Sequence, residues 1–313
     1  MNPDALAVLA LLLTPGVGVM TVRRVVIAAT TAGVSLEVLL HASPRVAMEL
    51  LPPGMQDVAG DLAGCTEPYR QRARYLVQRL QEVHACILCI SDPLYPEPLK
   101  TALQACAPPI LSVLGDLKNF TLPAAAIVGT CEPSAQGLDL ARSCAETFAR
   151  SGMLVVSGGA RGIDTAAHQG ALDGGGNTIV VLPQGLLTYR APRELFEAIQ
   201  EGRALLCSEF VPDANWETHA AVTRNATIAA LARLTCVIEP RRIGGSVRTA
   251  QCTLAQGKCV LIHPAAGFEW IAKELASART FPLLNEQNRF DAEYLLARWR
   301  SAPAPTGTQP DLL

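Results

Sequence analysis

The sequence has no apolar run long enough to cross a bilayer. Its longest early stretch, residues 5–13, falls far short of the ~20 residues a membrane helix requires and stops at Thr14-Pro15-Gly16. It also lacks a secretory leader pattern, because Asn2, Pro3 and Asp4 stand where a basic segment would be and no small-residue cleavage site follows. The expectation is a cytoplasmic protein with no membrane partner. An excess of one charge is missing too. Lysine and arginine number 26 against 28 acidic residues, a net charge of −2, and residues 123–265 hold twelve of each sign. No global field draws in a polyanion, so any such site has to be a local arrangement.

Metal and disulfide patterns are equally thin. Ten cysteines are scattered between Cys65 and Cys259 through apolar segments, in a chain too large to need covalent staples, and reduced, mostly buried thiols are expected. The one close pair, Cys86 and Cys89, lies near His84 but has no second pair at zinc-like spacing, and its setting reads as a buried strand. Neither a metal nor a cofactor is predicted. Hydrolase chemistry lacks its signature as well: Asp164 and His168 fall four apart on one predicted helix, and Ser157 is not on a Gly-x-Ser-x-Gly elbow.

What is present is a large apolar fraction, 50% of 313 residues, enough for a full core over about two average domains. Residues 1–84 read as a small helical domain of short helices punctuated by Pro and Gly. Within it, Thr14-Pro15-Gly16-Val17-Gly18 followed by Arg23 and Arg24 fits either a helix-hairpin-helix turn facing phosphates or a plain helix–helix corner. Residues 85–122 read as a connecting segment. From there short, nearly all-apolar strands alternate with helical segments at 124–129, 153–157, 178–182, 204–208, 235–239 and 258–263. That pattern predicts an α/β fold, an extended Rossmann-like, parallel-rich sheet with helices on both faces, over residues 123–267. A helical segment, 268–300, and a disordered tail, 301–313, complete the reading.

In a doubly wound sheet, ligands sit beyond the carboxyl ends of the strands, so the residues after each apolar run carry the functional reading. Ser157, Gly158, Gly159, Ala160, Arg161, Gly162 and Asp164 link a strand to a helix. Glycines let main chain approach an anion, the helix start offers free amides, Arg161 adds charge, and Asp164 caps the helix or steers the loop. A tight strand-to-helix turn with a surface arginine is the plainer alternative. Gly129 and Thr130 end the first strand, Gly185 follows the third, and Thr223, Arg224 and Asn225 open a further helix. Gly244, Gly245 and Ser246 resemble a second anion nest. Tyr189 and Phe210 are candidates for base stacking or for core packing.

The stretch SGGARGIDTAAHQGAL at residues 157–172 resembles the most specific segment of the DNA-processing protein A (DprA/Smf) family. The later pieces at 176–182, Ser208-Glu209, Arg224-Asn225 and Gly245-Ser246 occur in that family's order, and Tyr95-Pro96 and Pro108-Pro109 look like the approach to its Rossmann-like domain. The resemblance implies single-stranded DNA as ligand, homodimerisation, loading of RecA during DNA uptake, and no catalytic residues. Three departures stand out. Gly129-Thr130-Cys131 replaces the family's Gly-Ser-Arg, Arg224-Asn225-Ala226 replaces Arg-Asn-Arg, and His263-Pro264-Ala265 replaces the usual Pro-Gly. Arg190, Arg193, Arg241, Arg242 and Arg248 either compensate for the two missing cations or form solvated helix faces. The Pro-Gly-Gly-x-Gly-Thr loop and catalytic Glu of LOG-type phosphoribohydrolases are absent. A nucleotide- or signal-binding regulatory or defence role, and a structural dimer with a degenerate site, remain the alternatives on the same fold.

Overall fold

A computed structural model describes residues 3–242, 244–263 and 269–302. The predicted tail from Pro303 onward and the Pro264-Ala265 departure lie outside the described residues. The chain opens with six helices, α1 Pro3–Leu12, α2 Val19–Ala32, α3 Leu36–His41, α4 Pro44–Leu50, α5 Val58–Gly64 and α6 Glu67–Glu82. Sequence chemistry sets their ends. Ser35 and Ser43 cap α3 and α4 by accepting from Val38 N–H and Val46 N–H, and Pro44 occupies the first turn of α4. Arg23 donates to the Gln104 carbonyl at 2.7 Å and Arg24 pairs with Asp57 at 2.7 Å. Both arginines after the α1–α2 turn are thus engaged within the protein.

The strands are β1 Cys86–Cys89, β2 Ile110–Gly115, β3 Ala124–Gly129, β4 Leu154–Ser157, β5 Thr178–Val181, β6 Ala204–Ser208, β7 Leu234–Ile238, β8 Cys259–Ile262 and β9 Thr280–Pro282. Between them run α7 Glu97–Leu103, α8 Ala135–Arg150, α9 Ile163–Asp173, α10 Arg193–Gln200, α11 Thr218–Leu231, α12 Gly245–Ala255 and α13 Glu269–Glu274, with α14 Ala292–Ser301 last. The sheet order is β1-β2-β6-β5-β4-β3-β7-β8-β9. From β3 to β6 the chain winds one way, and the α11 crossover then carries it to the far side of β3, so the topological switch lies between β3 and β7. Seven strands, β3 to β9, are mutually parallel, whereas β1 and β2 pair antiparallel at one edge. The segment read as a connector therefore supplies two edge strands, and the region read as helical after residue 267 supplies the three-residue β9.

Alternate residues of each central strand serve opposite cores. Ala124, Ala126 and Val128 pack under α7, α11 and α12, while Ala125 and Ile127 face α8, α9 and α14. Both faces being covered, each strand is apolar throughout, which is why its sequence shows no alternation. The helices α1–α6 and α10 share a third buried cluster with Val180, Leu182 and Leu206 and so sit directly on the sheet. Seven of the ten free cysteines are buried. Cys86 is exposed and Cys89 buried, and no cluster of His, Cys, Asp or Glu suited to a metal occurs among the described residues. No helix among them is long and apolar enough to cross a membrane.

One charged side chain belongs to this core. Lys258 is fully buried, and its Nζ donates to the carbonyls of Ala229 at 2.7 Å and Ala230 at 2.9 Å, closing the last turn of α11. Burial draws its pKa down to about 7, where a neutral amine has two protons for two carbonyls. The folded pKa lies below the unfolded one, so stability should rise with pH from about 7 towards 10.5. Lys258→Met should abolish that rise and, near pH 10, lower the unfolding free energy by about 1–3 kcal/mol for the stranded carbonyls. Denaturant titrations at several pH values measure both.

Candidate nucleic-acid interface

At the switch point, β3 must approach β7 closely. A Cβ on Gly129 would lie 2.2 Å from the Ile238 carbonyl oxygen, so only glycine fits there. Beyond it, Thr130 is buried, and its carbonyl accepts Ile163 N–H at 3.2 Å at the start of α9. Ser157 faces inward and its Oγ donates to the Ile127 carbonyl at 2.6 Å, stitching β4 to β3. His168 Nδ1 is 2.7 Å from Thr178 Oγ1, and burial lowers its pKa to about 3, with the Arg224 charge adding to the effect. Ser157 also supports the Asp164 carboxylate, but His168 bonds Thr178 and reaches neither of them, so the three form no triad.

Arg224 is the unexpected residue. It lies in the middle of α11, six residues after the helix begins, so the sequence reading that placed it at a helix start does not hold. Helical phase turns it inward to the strand ends, leaving it 7% exposed. Its guanidinium lies against Gly158, where a Cβ would meet Nη1 at 1.5 Å, and Nη1 donates to the Val181 carbonyl at 3.1 Å. Burial lowers its pKa, while Asp164 and Glu209 favour its charge. Asp164 Oδ2 in turn accepts from Gly158 N–H at 3.2 Å and Ala160 N–H at 3.3 Å. Burial raises the Asp164 pKa against the pull of Arg224 and those amides. Asp164 therefore steers the glycine loop and occupies two of the amides that the sequence reading offered to phosphate.

A second internal carboxylate fills another anion position. Glu239 has a left-handed backbone, φ 45°, and its carboxylate accepts from Ser134 N–H at 2.8 Å and from Ser134 Oγ. It sits on the first turn of α8, where a doubly wound fold holds a dinucleotide's pyrophosphate. The start of α12 is different. Gly244 provides no side-chain cap, Ser246 is buried beside it, and Asn225, 4% exposed, directs its amide at Gly245. Asn225 Nδ2 has no hydrogen-bond partner among the described residues. Here uncapped amides and a free donor converge.

These groups line an open cavity of about 610 Å³ together with Gly129, Cys131, Gly159, Asp164, Arg224 and Arg248. Its other wall is aromatic and apolar, formed by Tyr189, Trp216, Val222 and Ile228. Of the predicted site residues, Gly129, Gly158, Gly159, Asp164, Arg224, Asn225, Gly244, Gly245 and Ser246 come together there. Ser157, Thr130, Arg161, Gly162 and Gly185 are not in the lining. Gly185 instead packs on the Pro212 carbonyl. Arg161 is exposed, follows Ala160 of the cavity wall, and has no ion-pair partner among the described residues. Phe210 lies outside the lining. Trp216, 56% exposed, was missed by sequence reading, although an aromatic ring in the polar run Asp213-Ala214-Asn215-Trp216-Glu217 is a signal that it has no core to enter.

Residues 86–276 match the sequence model of a family described as DNA recombination-mediator protein A. A putative DNA processing protein DprA from Mycobacterium tuberculosis is 37% identical over 163 residues, 50% of this chain and 41% of that protein, so the match spans less than half of that relative's length. The crystal structure of DNA processing protein A from Streptococcus pneumoniae superposes with a TM-score of 0.73 at 21% identity, covering 95% of this chain and 98% of that one. DNA processing protein A from Helicobacter pylori, described with its single-stranded DNA binding mode, aligns with a TM-score of 0.55 at 26% identity over 69% of this chain and 98% of that one.

Glu209, after β6, completes the charged cluster. Burial pushes its pKa up to about 7, against the hydrogen bond from Thr227 Oγ1 at 2.8 Å and the Arg224 charge. The folded pKa exceeds the unfolded one, so this group's stability contribution is complete below about pH 4.5 and is lost as pH rises through about 7. Glu209→Gln should flatten that decline and be more stable than wild type at pH 8 by about 1–3 kcal/mol. Identical pH profiles for the two proteins in urea titrations would refute the assignment.

Proposed function

The chain belongs to the DNA recombination-mediator protein A family, and from that membership we propose that it binds single-stranded DNA along the cavity at the β3–β7 switch without cutting or modifying it. The observation that carries the reading is the juxtaposition at one cavity of the uncapped α12 amides and Asn225 Nδ2 with the exposed Trp216 and the half-buried Tyr189. Amides and Arg248 suit phosphates, whereas rings suit bases of any sequence. Glu239 on the first turn of α8 argues against a dinucleotide, because the helix start that would hold the pyrophosphate already faces a carboxylate. Pairing of two copies, hand-over of the strand to RecA, and action in the cytoplasm on incoming DNA complete the proposal; they rest on family membership.

The test is a titration of labelled oligonucleotide, with mononucleotides as competitors, over a salt series. Polymer binding should weaken steeply with salt, by ~0.7 in log–log slope per neutralised phosphate. Tight mononucleotide binding without polymer binding would replace the proposal with nucleotide sensing. Arg161→Ala should weaken all sequences alike and reduce the slope, and Trp216→Ala should cost about 1–3 kcal/mol of affinity. Cys131 is exposed and replaces the arginine that the family resemblance implies, so Cys131→Arg should fold normally and gain ~1.5–3 kcal/mol of binding. A well-folded Cys131→Arg protein with unchanged affinity would count against a phosphate site beside β3.

A further inference from the structure

Between α7, α11, α12 and the residue that follows β6 lies a second cavity of about 250 Å³. Arg248 and Val222 line both cavities, so the two adjoin across the edge of α11. The second is apolar along its sides, with Leu103, Val222 and Ala255, and polar at Glu209 and Gln256. It falls below the ~300 Å³ at which small-molecule pockets begin, room for a planar ring and not for a whole nucleotide.

Its polar lining sets two acceptors, Gln256 Oε1 and the Glu209 carboxylate, opposite the Arg248 guanidinium at the boundary with the first cavity. Gln256 is 4% exposed, its Nε2 donates to the Ala226 carbonyl at 3.3 Å, and its Oε1 is buried with no partner among the described residues. Glu209 receives Thr227 Oγ1 on Oε1 at 2.8 Å and lines the same cavity. A buried acceptor left unpaired is costly, and what satisfies it must bring N–H groups. Ammonium ions bring them too, but they have no apolar faces to cover Leu103, Val222 and Ala255. A neutral ring with an exocyclic amine fits both the walls and the acceptors. Cytosine, adenine and guanine present such an amine, with two protons for two acceptors, whereas thymine and uracil offer a single N3–H between carbonyl oxygens that meet Gln256 Oε1 and the carboxylate with like partial charge.

Resting on the single-strand reading above, we propose that this second cavity is a base pocket that takes one amino-bearing nucleobase from a strand whose backbone lies on the α12 start, with Gln256 Oε1 and Glu209 as its acceptors. Arg248, at the boundary of the two cavities, holds the phosphate next to the inserted base. The base leaves its neighbours to enter, as in other proteins that read an extruded base by its hydrogen-bonding edge. The protein would then bind strands generally but with a composition preference.

The experiment compares oligo-dC with oligo-dU of equal length at pH 8 and one salt concentration, two pyrimidine strands that differ at the amine. Wild type should bind oligo-dC several-fold more tightly. Ala226→Leu, which fills the cavity, and Gln256→Leu, which removes the orphan acceptor, should each bring oligo-dC down to the oligo-dU affinity and leave oligo-dU unchanged. Equal affinity of wild type for both strands overturns the base pocket while leaving strand binding intact. A preference that survives both variants in folded protein also overturns it. Failure to bind either strand defeats the single-strand reading itself. Free deoxycytidine monophosphate, added as competitor, separates the sources: a base held as part of a strand predicts weak competition, and strong competition that Gln256→Leu abolishes assigns the pocket to a free nucleotide instead, overturning the strand form of the proposal.

Discussion

The carboxyl edge of the sheet is assembled around one buried guanidinium. Arg224 reaches from α11 to the ends of β4, β5 and β6, touching Gly158, bonding the Val181 carbonyl and drawing charge support from Asp164 and Glu209. Isolating such a charge costs several kcal/mol, so the loops cannot rearrange independently of it. Gly158 has to be glycine because the guanidinium occupies the space of a side chain. Asp164 has to face the loop because it both offsets that charge and collects the Gly158 and Ala160 amides. Lys258 fixes the same helix from its other end.

That arrangement decides which helix start remains open. A doubly wound sheet offers several positive helix ends on one edge, each able to hold an anion. In this chain α8 faces Glu239, and α9 is met by the Thr130 carbonyl and by Asp164. The α12 start has neither. The α12 amides stand beside an aromatic wall in an open cavity, and the α11 start, where Thr218 lines the same cavity, also lacks a side-chain cap. The same fold with an unoccupied α8 start would suit a dinucleotide, so the choice of ligand lies in the placement of two internal carboxylates.

Much of this was legible in the sequence. The strand limits 124–129 and 204–208 coincide with β3 and β6, because fully buried parallel strands are continuous apolar runs bounded by turn residues. The glycine loops were legible because they follow those runs. The antiparallel β2 was harder to see: Ile110–Gly115 is apolar enough, but the prolines at 108 and 109 make it resemble an approach segment, and pairing with β6 is a long-range fact. The three-residue β9 carries too little pattern for any period. Arg224 was misjudged because a residue's helical phase relative to the sheet depends on where the helix starts, and Glu217, which precedes α11, makes no side-chain cap. Nor does any local pattern reveal that Asp164 consumes its own loop's amides.

The reversed direction of β2 bounds the edge that carries the loops. Its carboxyl end points away from them, so the run of co-directed strand ends stops at β6 and extends through β9 on the other side. Seven strands at about 4.8 Å spacing give an edge of roughly 30 Å. The fold therefore contains a ruler: a chain molecule laid along this edge has a fixed span of support, and a longer one must turn off the sheet at either end or pass onto a second protein.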